Sequence, residues 1–264
     1  MKIKASLLTL AIINVLFSNP SAWGQIQVTT MPEVTAVDLV ETILGGGIEY
    51  SNVVYQGAEI ASGVFTNADS TNLSLSCGVF LTSGSGNNIP GPNLMPNKST
   101  NNQMPGHSLL NSMSMGPTYD ASVLEFDFIP QNDSIKIRYV FGGEAYNEWV
   151  NSYVDNDICG IFVSGINPNG GFYSDTNIAL VPDTNLSVCV SNINNGVSSP
   201  GFPPTGPCEN CEYYNDNTGG QSLEYDGFTT LLTAKLAVIP FEEYHLVIGA
   251  ADEGDHIYDC GIFV

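Results

Sequence analysis

Two short segments, Leu124-Glu-Phe-Asp-Phe128 and Ile135-Lys-Ile-Arg-Tyr139, decide the fold class of this chain. In each of them apolar and charged residues alternate strictly, which is the pattern of a β-strand with one buried and one solvated face. Asn132 and Asp133 lie between the segments and favour a tight turn. The sequence therefore predicts that these two strands form a β-hairpin.

One helix and many further strands are predicted around these segments. Thr30-Met-Pro-Glu33 matches a capping box, apolar residues then recur at helical spacing, and Gly45-Gly-Gly47 ends the helix. Short runs rich in β-branched and aromatic residues cover residues 53–55, 63–65, 78–82, 158–164, 178–181, 229–238 and 244–251. We expect a mainly β chain, an antiparallel β-sandwich of jelly-roll type, with one short N-terminal helix and two long loops over residues 84–117 and 192–220.

The charge of the chain excludes two classes of partner. The 264 residues include 27 acidic and 6 basic side chains, for a formal net charge of −21. Binding to nucleic acid requires clustered Lys and Arg, and an anionic membrane surface repels a chain this acidic. Only 12% of the residues are charged and 43% are hydrophobic, which favours a folded core over a disordered acidic segment.

The N-terminus has the pattern of a secretory signal peptide. Lys2 and Lys4 precede an apolar run over residues 5–17, and Ala22-Trp-Gly24 offers a small-residue cleavage site. The run is too short to span a bilayer, which needs about 20 apolar residues. We expect residues 1–24 to be removed and residues 25–264 to form one domain without membrane insertion. The predicted location is secreted, either extracellular or at the outer cell surface.

The cysteines suggest one local cross-link. All six lie in the predicted mature chain, and Cys208-Glu-Asn-Cys211 falls in a loop rich in Pro and Gly. Because no second pair or histidine accompanies this motif, a disulfide between Cys208 and Cys211 is favoured over a zinc site. A Cys-Gly-(Ile/Val)-Phe pattern also begins at Cys77, Cys159 and Cys260, and it marks either equivalent core strands or a chance recurrence.

No motif for catalysis is found in the sequence. The nucleophile elbow, the zinc-protease motif, the P-loop and the dinucleotide fingerprint are all absent. We therefore predict that the chain is not an enzyme. The alternative is an extracellular carbohydrate-binding module or a glycoside hydrolase, with Glu144 and Glu148 as the carboxylate pair. Five aromatic residues are candidates for stacking on sugars at the surface: Tyr146, Trp149, Tyr153, Tyr213 and Tyr214.

Acidic residues are concentrated in predicted turns. Asp157 precedes the strand predicted at 158–164, Asp226 precedes that at 229–238, and Asp252, Asp255 and Asp259 form the densest group. Carboxylate and carbonyl oxygens are the ligands that calcium takes in proteins. Aspartate is also common in turns that bind nothing, so solvated turn chemistry is the competing interpretation.

Longer stretches carry a more specific signal. They follow one another in this order: Ser51-Asn-Val-Val-Tyr-Gln-Gly57, Gly78-Val-Phe-Leu-Thr-Ser-Gly84, Tyr119-Asp-Ala-Ser-Val-Leu-Glu-Phe-Asp-Phe128, Tyr139-Val-Phe-Gly-Gly-Glu-Ala-Tyr146, Asn156-Asp-Ile-Cys-Gly-Ile-Phe-Val-Ser-Gly165 and Tyr244-His-Leu-Val-Ile-Gly-Ala-Ala-Asp252. Their order resembles the choice-of-anchor L domain of secreted bacterial proteins, common in the Bacteroidota, from about residue 33 to the end. The resemblance implies a non-catalytic, surface-displayed β module for adhesion or interaction, with an unknown surface ligand, either a glycan or a protein.

The resemblance also bears on the acidic turns, because the matched stretches converge on them. It favours a calcium ion that braces the domain, with six predicted ligands: Glu144, Asp157, Asp226, Asp252, Asp255 and Asp259. Two departures weaken the match. The family usually has Gly-Ser-Glu-Glu-Tyr where this chain has Gly142-Gly-Glu-Ala-Tyr146, so one acid is missing from that pair. The chain also stops at Val264 in an apolar strand, so we expect a domain that ends there or is truncated in its C-terminal strand.

Overall fold

The chain folds into two antiparallel β-sheets packed face to face. The structure is a computed structural model that describes residues 25–150, 156–197 and 207–264, so the predicted signal peptide lies outside it. In spatial order the first sheet contains β1 (Gln27–Thr30), β3 (Ser62–Thr66), β4 (Gly78–Thr82), β13 (Cys260–Phe263), β6 (Ser134–Gly143), β10 (Gly227–Thr229) and β9 (Tyr214–Asp216), with β11 (Leu232–Ala237) also paired to β6. The second contains β2 (Glu49–Gln56), β5 (Thr118–Ile129), β12 (Tyr244–Glu253), β7 (Ile158–Ile166) and β8 (Phe172–Asn177). The predicted antiparallel sandwich is confirmed.

The core between the sheets explains the alternating patterns in the sequence. Phe126 and Phe128 of β5 and Tyr139 and Phe141 of β6 are all buried in one hydrophobic cluster. Their charged neighbours along each strand point away from this cluster, as the period of two requires. Burial of large aromatic side chains is the main stabilising contribution to a sandwich of this kind.

The predicted hairpin between residues 124–128 and 135–139 is wrong. β5 pairs with β2 and β12 in one sheet, whereas β6 pairs with β13, β10 and β11 in the other. The connection therefore crosses from sheet to sheet, and its backbone is held by the segment before β12, through Val238 N to Asp133 O and Phe241 N to Pro130 O. The alternating pattern indicates that each strand buries one face, but it does not indicate which other strand pairs with that strand.

The predicted helix is present but begins later than expected. Helix α1 spans Ala36–Leu44, and Thr35 forms its capping box with Asp38. Gly45 ends the helix with a φ of 67°, a left-handed value that glycine adopts without strain. Thr30 is instead the last residue of β1, where it pairs with Gly63, and its carbonyl accepts Glu33 N in a turn that precedes the helix.

Most other predicted strands are confirmed, with three kinds of difference. Residues 178–181 form no named strand, and the predicted strand at 229–238 is divided between β10 and β11. The first long loop contains a short helix, α2 (Ser108–Asn111). Strands β1, β8 and β9 were not predicted, and four 3-10 turns complete the described elements at residues 59–61, 68–70, 86–88 and 211–213.

Candidate functional site

The strand registers gather buried acids at one end of the sandwich. Asp252 near the end of β12 lies beside the start of β7, and Cys260 at the start of β13 pairs with Gly143 at the end of β6. Gly227 at the start of β10 also pairs with Gly143. The acids that are less than a tenth exposed there, which we call the acidic end, are Asp120, Glu144, Asp157, Glu224, Asp226, Asp252, Glu253 and Asp259.

Three of these acids hold an extended part of the first long loop. The backbone amides of alternate loop residues donate to them: Lys98 N to Glu144 Oε2 (3.2 Å), Thr100 N to Asp259 Oδ2 (2.9 Å), Asn102 N to Asp120 Oδ2 (3.1 Å) and Met104 N to Asp120 Oδ1 (2.6 Å). We call this set the carboxylate ladder. It gives the loop the hydrogen bonds that a neighbouring strand would otherwise supply, with carboxyl oxygens as the acceptors.

Other acids hold the same loop on either side of the ladder. Glu253 Oε1 accepts from Met115 N at 2.7 Å and from Gly116 N at 2.6 Å. Burial raises the pKa of Glu224, against hydrogen bonds from the backbone amides of Leu94 and Met95 that favour its charged form. The long loop is therefore fixed to the sandwich along most of its length by buried carboxylates.

A different group lies deeper, where the two sheets meet. Among the residues that the structure describes, one set of three His, Cys, Asp or Glu side chains has ligand atoms all within 4.8 Å of one another: Asp157, Asp252 and Cys260. Asp252 is fully buried, and neither of its carboxylate oxygens has a hydrogen bond of good geometry in the described part of the chain, although the Ser83 hydroxyl lies near enough to favour the charged form. Burial first and Asp157 second raise the pKa of Asp252 well above its ordinary value. Burial likewise raises the pKa of the Cys260 thiol, with Asp157 and Asp252 adding to the effect.

A third group surrounds Asp226. Its Oδ1 accepts from Asn93 Nδ2 at 2.8 Å, whereas its Oδ2 is buried without a hydrogen-bond partner among the described residues. Burial raises the pKa of Asp226 to about 7, against the hydrogen bond from Asn93 and with the help of Glu148 and Glu224. Burial and the neighbouring Asp226 also raise the pKa of Glu144 well above its ordinary value. This group is therefore costly to ionise as it stands.

The six predicted calcium ligands are divided among these groups. Glu144 and Asp259 belong to the carboxylate ladder, Asp226 is bonded to Asn93, and Asp157 and Asp252 lie together beside Cys260. Asp255 is exposed, and its Oδ1 accepts from Ile257 N within a turn. Calcium takes six to eight oxygen ligands. The described side chains do not gather that many carboxylates at one point. The group of Asp157, Asp252 and Cys260, which we call the compact group, also includes a sulfur.

The six predicted ligands leave out four members of the site: Glu224 and Glu253, which hold the loop on either side of the ladder, and Asp120 and Cys260. Asp120 accepts two ladder hydrogen bonds, and Cys260 completes the compact group with Asp157 and Asp252. Asp120 has a φ of 47° and lies where β5 has one residue more than β12 between paired positions, as in a β-bulge. A bulge re-aims side chains, and a single sequence carries no clear signal for it.

Two of the five residues proposed for sugar contact are buried and not available for it. Tyr146 is 1% exposed and Tyr214 is 9% exposed, and their rings pack together at 4.9 Å between centroids. The prediction that both are exposed is wrong, because they fill the core beside β6. Trp149 is exposed and packs edge-on against Tyr258, Tyr213 is half-buried, and Tyr153 lies outside the described residues.

The cysteines divide into one bonded pair and four free thiols in the described ranges. The predicted disulfide between Cys208 and Cys211 is confirmed, with their Cα atoms 5.6 Å apart. Cys77 is exposed, whereas Cys159, Cys189 and Cys260 are buried. Cys77 immediately precedes β4, whereas Cys159 lies in β7 and Cys260 begins β13. The repeated pattern therefore falls on three core strands, two of them neighbours in one sheet.

Comparison with known families gives a direct assignment. A model of the choice-of-anchor L domain matches residues 27–264, nearly the whole chain. Comparisons with the curated proteins and with the solved structures give no match. No helix in the described ranges is long and apolar enough to cross a membrane. The family indicates a module of secreted or surface-displayed bacterial proteins. The chain therefore belongs to the choice-of-anchor L domain family.

Proposed function

We propose that this domain is a non-catalytic adhesion or interaction module that presents its first long loop to a ligand at the cell surface. The carboxylate ladder carries this proposal, because buried acids fix the loop in one conformation before any ligand arrives. A loop that is already ordered loses less conformational entropy on binding. The same loop exposes three large apolar side chains, with Leu94 78%, Met95 47% and Met115 79% exposed. These three residues form the proposed contact surface.

The use of the carboxylates favours binding over catalysis. Glu144, one half of the pair suggested for a glycoside hydrolase, accepts the Lys98 amide and is 1% exposed. A catalytic acid must reach the glycosidic oxygen of a bound sugar. Because Glu144 is turned toward backbone, we assign it to holding the loop.

A binding assay with matched surface variants tests the interaction role. We expect the purified protein to bind at least one member of a panel of glycans and extracellular proteins, and to hydrolyse none of the glycans. Replacing Leu94, Met95 and Met115 together by serine should weaken that binding about tenfold or more, since apolar anchors dominate such contacts. The control is Phe172→Ser with Phe241→Ser, because these side chains are 75% and 76% exposed but lie outside the loop.

Three results would contradict this proposal. Cleavage of a glycan favours the hydrolase alternative. Equal loss of binding in the loop variant and in the control variant would show that Leu94, Met95 and Met115 do not form the contact surface. Absence of binding to every member of the panel would contradict the interaction role.

We further propose that a divalent cation neutralises Asp157 and Asp252 and so braces the acidic end, where the sequence predicts calcium. The support is that two carboxyl groups lie together in a buried place, where separate negative charges are costly. Chelation with EDTA should then lower the melting temperature of the purified protein, and calcium or another divalent cation should restore it. An unchanged melting temperature after chelation and after each addition would show that no cation braces the acidic end.

A further inference from the structure

The compact group at the acidic end joins both sheets of the sandwich. Asp157 immediately precedes β7 and Asp252 lies near the end of β12, while Cys260 is the first residue of β13 in the opposite sheet. All three side chains are buried, with exposed fractions of 2%, 0% and 0%. A cation bound there would connect neighbouring strands of one sheet to a central strand of the other.

The spacing suits a small tetrahedral ion. Zinc lies about 2.3 Å from a thiolate sulfur and about 2.0–2.2 Å from a carboxylate oxygen. Two ligands of one tetrahedral zinc ion therefore lie about 3.5 Å apart. The ligand atoms of Asp157, Asp252 and Cys260 already lie within 4.8 Å of one another, so a contraction of about 1 Å closes the site.

Asp252 provides an observation that is independent of the acidic composition. Both of its carboxylate oxygens are buried, and neither has a hydrogen bond of good geometry among the described residues, although the Ser83 hydroxyl lies near enough to favour the charged form. Buried polar atoms of folded proteins nearly always have partners, so an orphaned carboxylate indicates a missing proton, water or ion. A shared proton would give a partner to one oxygen of Asp252. A coordinated cation would neutralise the carboxylate charge and also accept lone pairs from its oxygens.

The sulfur of Cys260 decides which class of cation fits. Calcium prefers oxygen ligands, whereas a thiolate selects thiophilic ions such as zinc. Ser83 supports this sulfur: its Oγ accepts the Cys260 backbone N–H at 2.8 Å and lies 3.8 Å from Cys260 Sγ, to which it can donate. Outer contacts of this kind orient metal ligands and tune their charge.

We propose that Asp157, Asp252 and Cys260 bind a thiophilic divalent cation of the zinc class, which braces the two sheets at the acidic end. The proposal rests on the cation brace put forward above and replaces calcium as its occupant. On binding, Cys260 loses its thiol proton to solvent and its thiolate becomes a ligand, so metal affinity rises with pH.

Metal titrations of the purified, EDTA-treated protein test this site. We expect zinc to raise the melting temperature by about 5–10 °C at a hundredfold excess over its Kd, and calcium at the same concentration to raise it little. Cobalt, which stands in for zinc, should give a thiolate-to-metal charge-transfer band in the near ultraviolet. Cys260→Ser should lose this band and most of the zinc effect, whereas Cys189→Ser, which removes another buried free thiol, should retain both.

A second variant keeps the test decisive if Cys260→Ser does not fold. Asp252→Asn retains the thiol, removes the orphaned charge and is expected to fold without metal but to lose the response to zinc. Stabilisation by calcium but not by zinc would overturn the zinc-class site and leave the cation brace standing. No response to either ion would overturn both, and a cobalt band that survives Cys260→Ser would show that Cys260 is not a ligand.

Discussion

Replacing Asp120 by asparagine is expected to destabilise the domain and to release the loop that it holds. Asp120 is 1% exposed, and its two oxygens accept from Asn102 N, Met104 N and His256 Nδ1. An asparagine side chain has one acceptor oxygen, so its amide group must face a donor on the other side. A buried donor left without a partner costs about 1–3 kcal/mol. We expect the free energy of unfolding to fall by roughly 2–4 kcal/mol.

Hydrogen exchange separates the local effect of this substitution from the global one. In Asp120→Asn the amides of residues 98–104 should exchange faster than those of the core strands, because the ladder opens before the sandwich unfolds. Asp133→Asn is the matched control, since it removes one acid from an exposed turn. Equal protection of the 98–104 amides in Asp120→Asn and in the wild type would show that the ladder does not hold the loop.

The strands of this fold are visible in the sequence, but their partners are not. The alternation in residues 124–128 and 135–139 correctly predicts two strands that each bury one face. It gives no information on whether the buried faces lie side by side or oppose each other across the core, and here they oppose each other. The helix cap shows the same limit, because Thr30 and Thr35 each begin a cap-like pattern and only strand pairing decides between them.

The site is predictable to the level of residue type and no further. Acids in turns indicate that charge is concentrated between strands, and the registers show why, since those turns meet at one end of the sandwich. The acids are divided among the carboxylate ladder, the compact group and the group around Asp226. This division depends on distances of a few ångströms between segments that are far apart in the sequence. Asp120 joins the site through a bulge in β5, which a single sequence does not signal. Cys260 joins it through the pairing of β13, and the Cys-Gly-Ile-Phe pattern signals that strand but not its partner.

The formal charge of −21 consequently overstates the charge that the folded domain carries near neutral pH. Burial raises the pKa of Glu144 and Asp252 well above ordinary values, and raises that of Asp226 and Asp259 to about 7. Part of the acidity is therefore held inside the protein as protonated or partnered groups. This distinguishes the chain from an acidic protein whose carboxylates serve mainly for solubility.

Asp226 makes the stability of the domain depend on pH in a direction opposite to that of a salt-bridged aspartate. Its pKa is about 7 in the folded protein, against about 3.9 for aspartate in an unfolded chain. Between these values the folded state keeps a proton that the unfolded state has released, so its contribution is fully present below pH 4 and is lost as pH rises through 7. The groups around Asp226 include Asn93, which favours its charged form, and Glu148, Glu224 and Asp216, which oppose it. Asp226 in turn raises the pKa of Glu144 and of Tyr214, so these two groups also face it.

Asp226→Asn should therefore be more stable than the wild type at pH 8, by roughly 2–4 kcal/mol, and close to it at pH 4. The asparagine oxygen can still accept from Asn93, and its amide group can donate toward the acids nearby. Denaturant unfolding at pH 4, 6 and 8 measures this difference, with EDTA present so that no cation contributes. Asp133→Asn, which removes an exposed acid, should follow the wild-type profile. If the wild type and Asp226→Asn keep a constant difference in unfolding free energy across this range, Asp226 is not the titrating group.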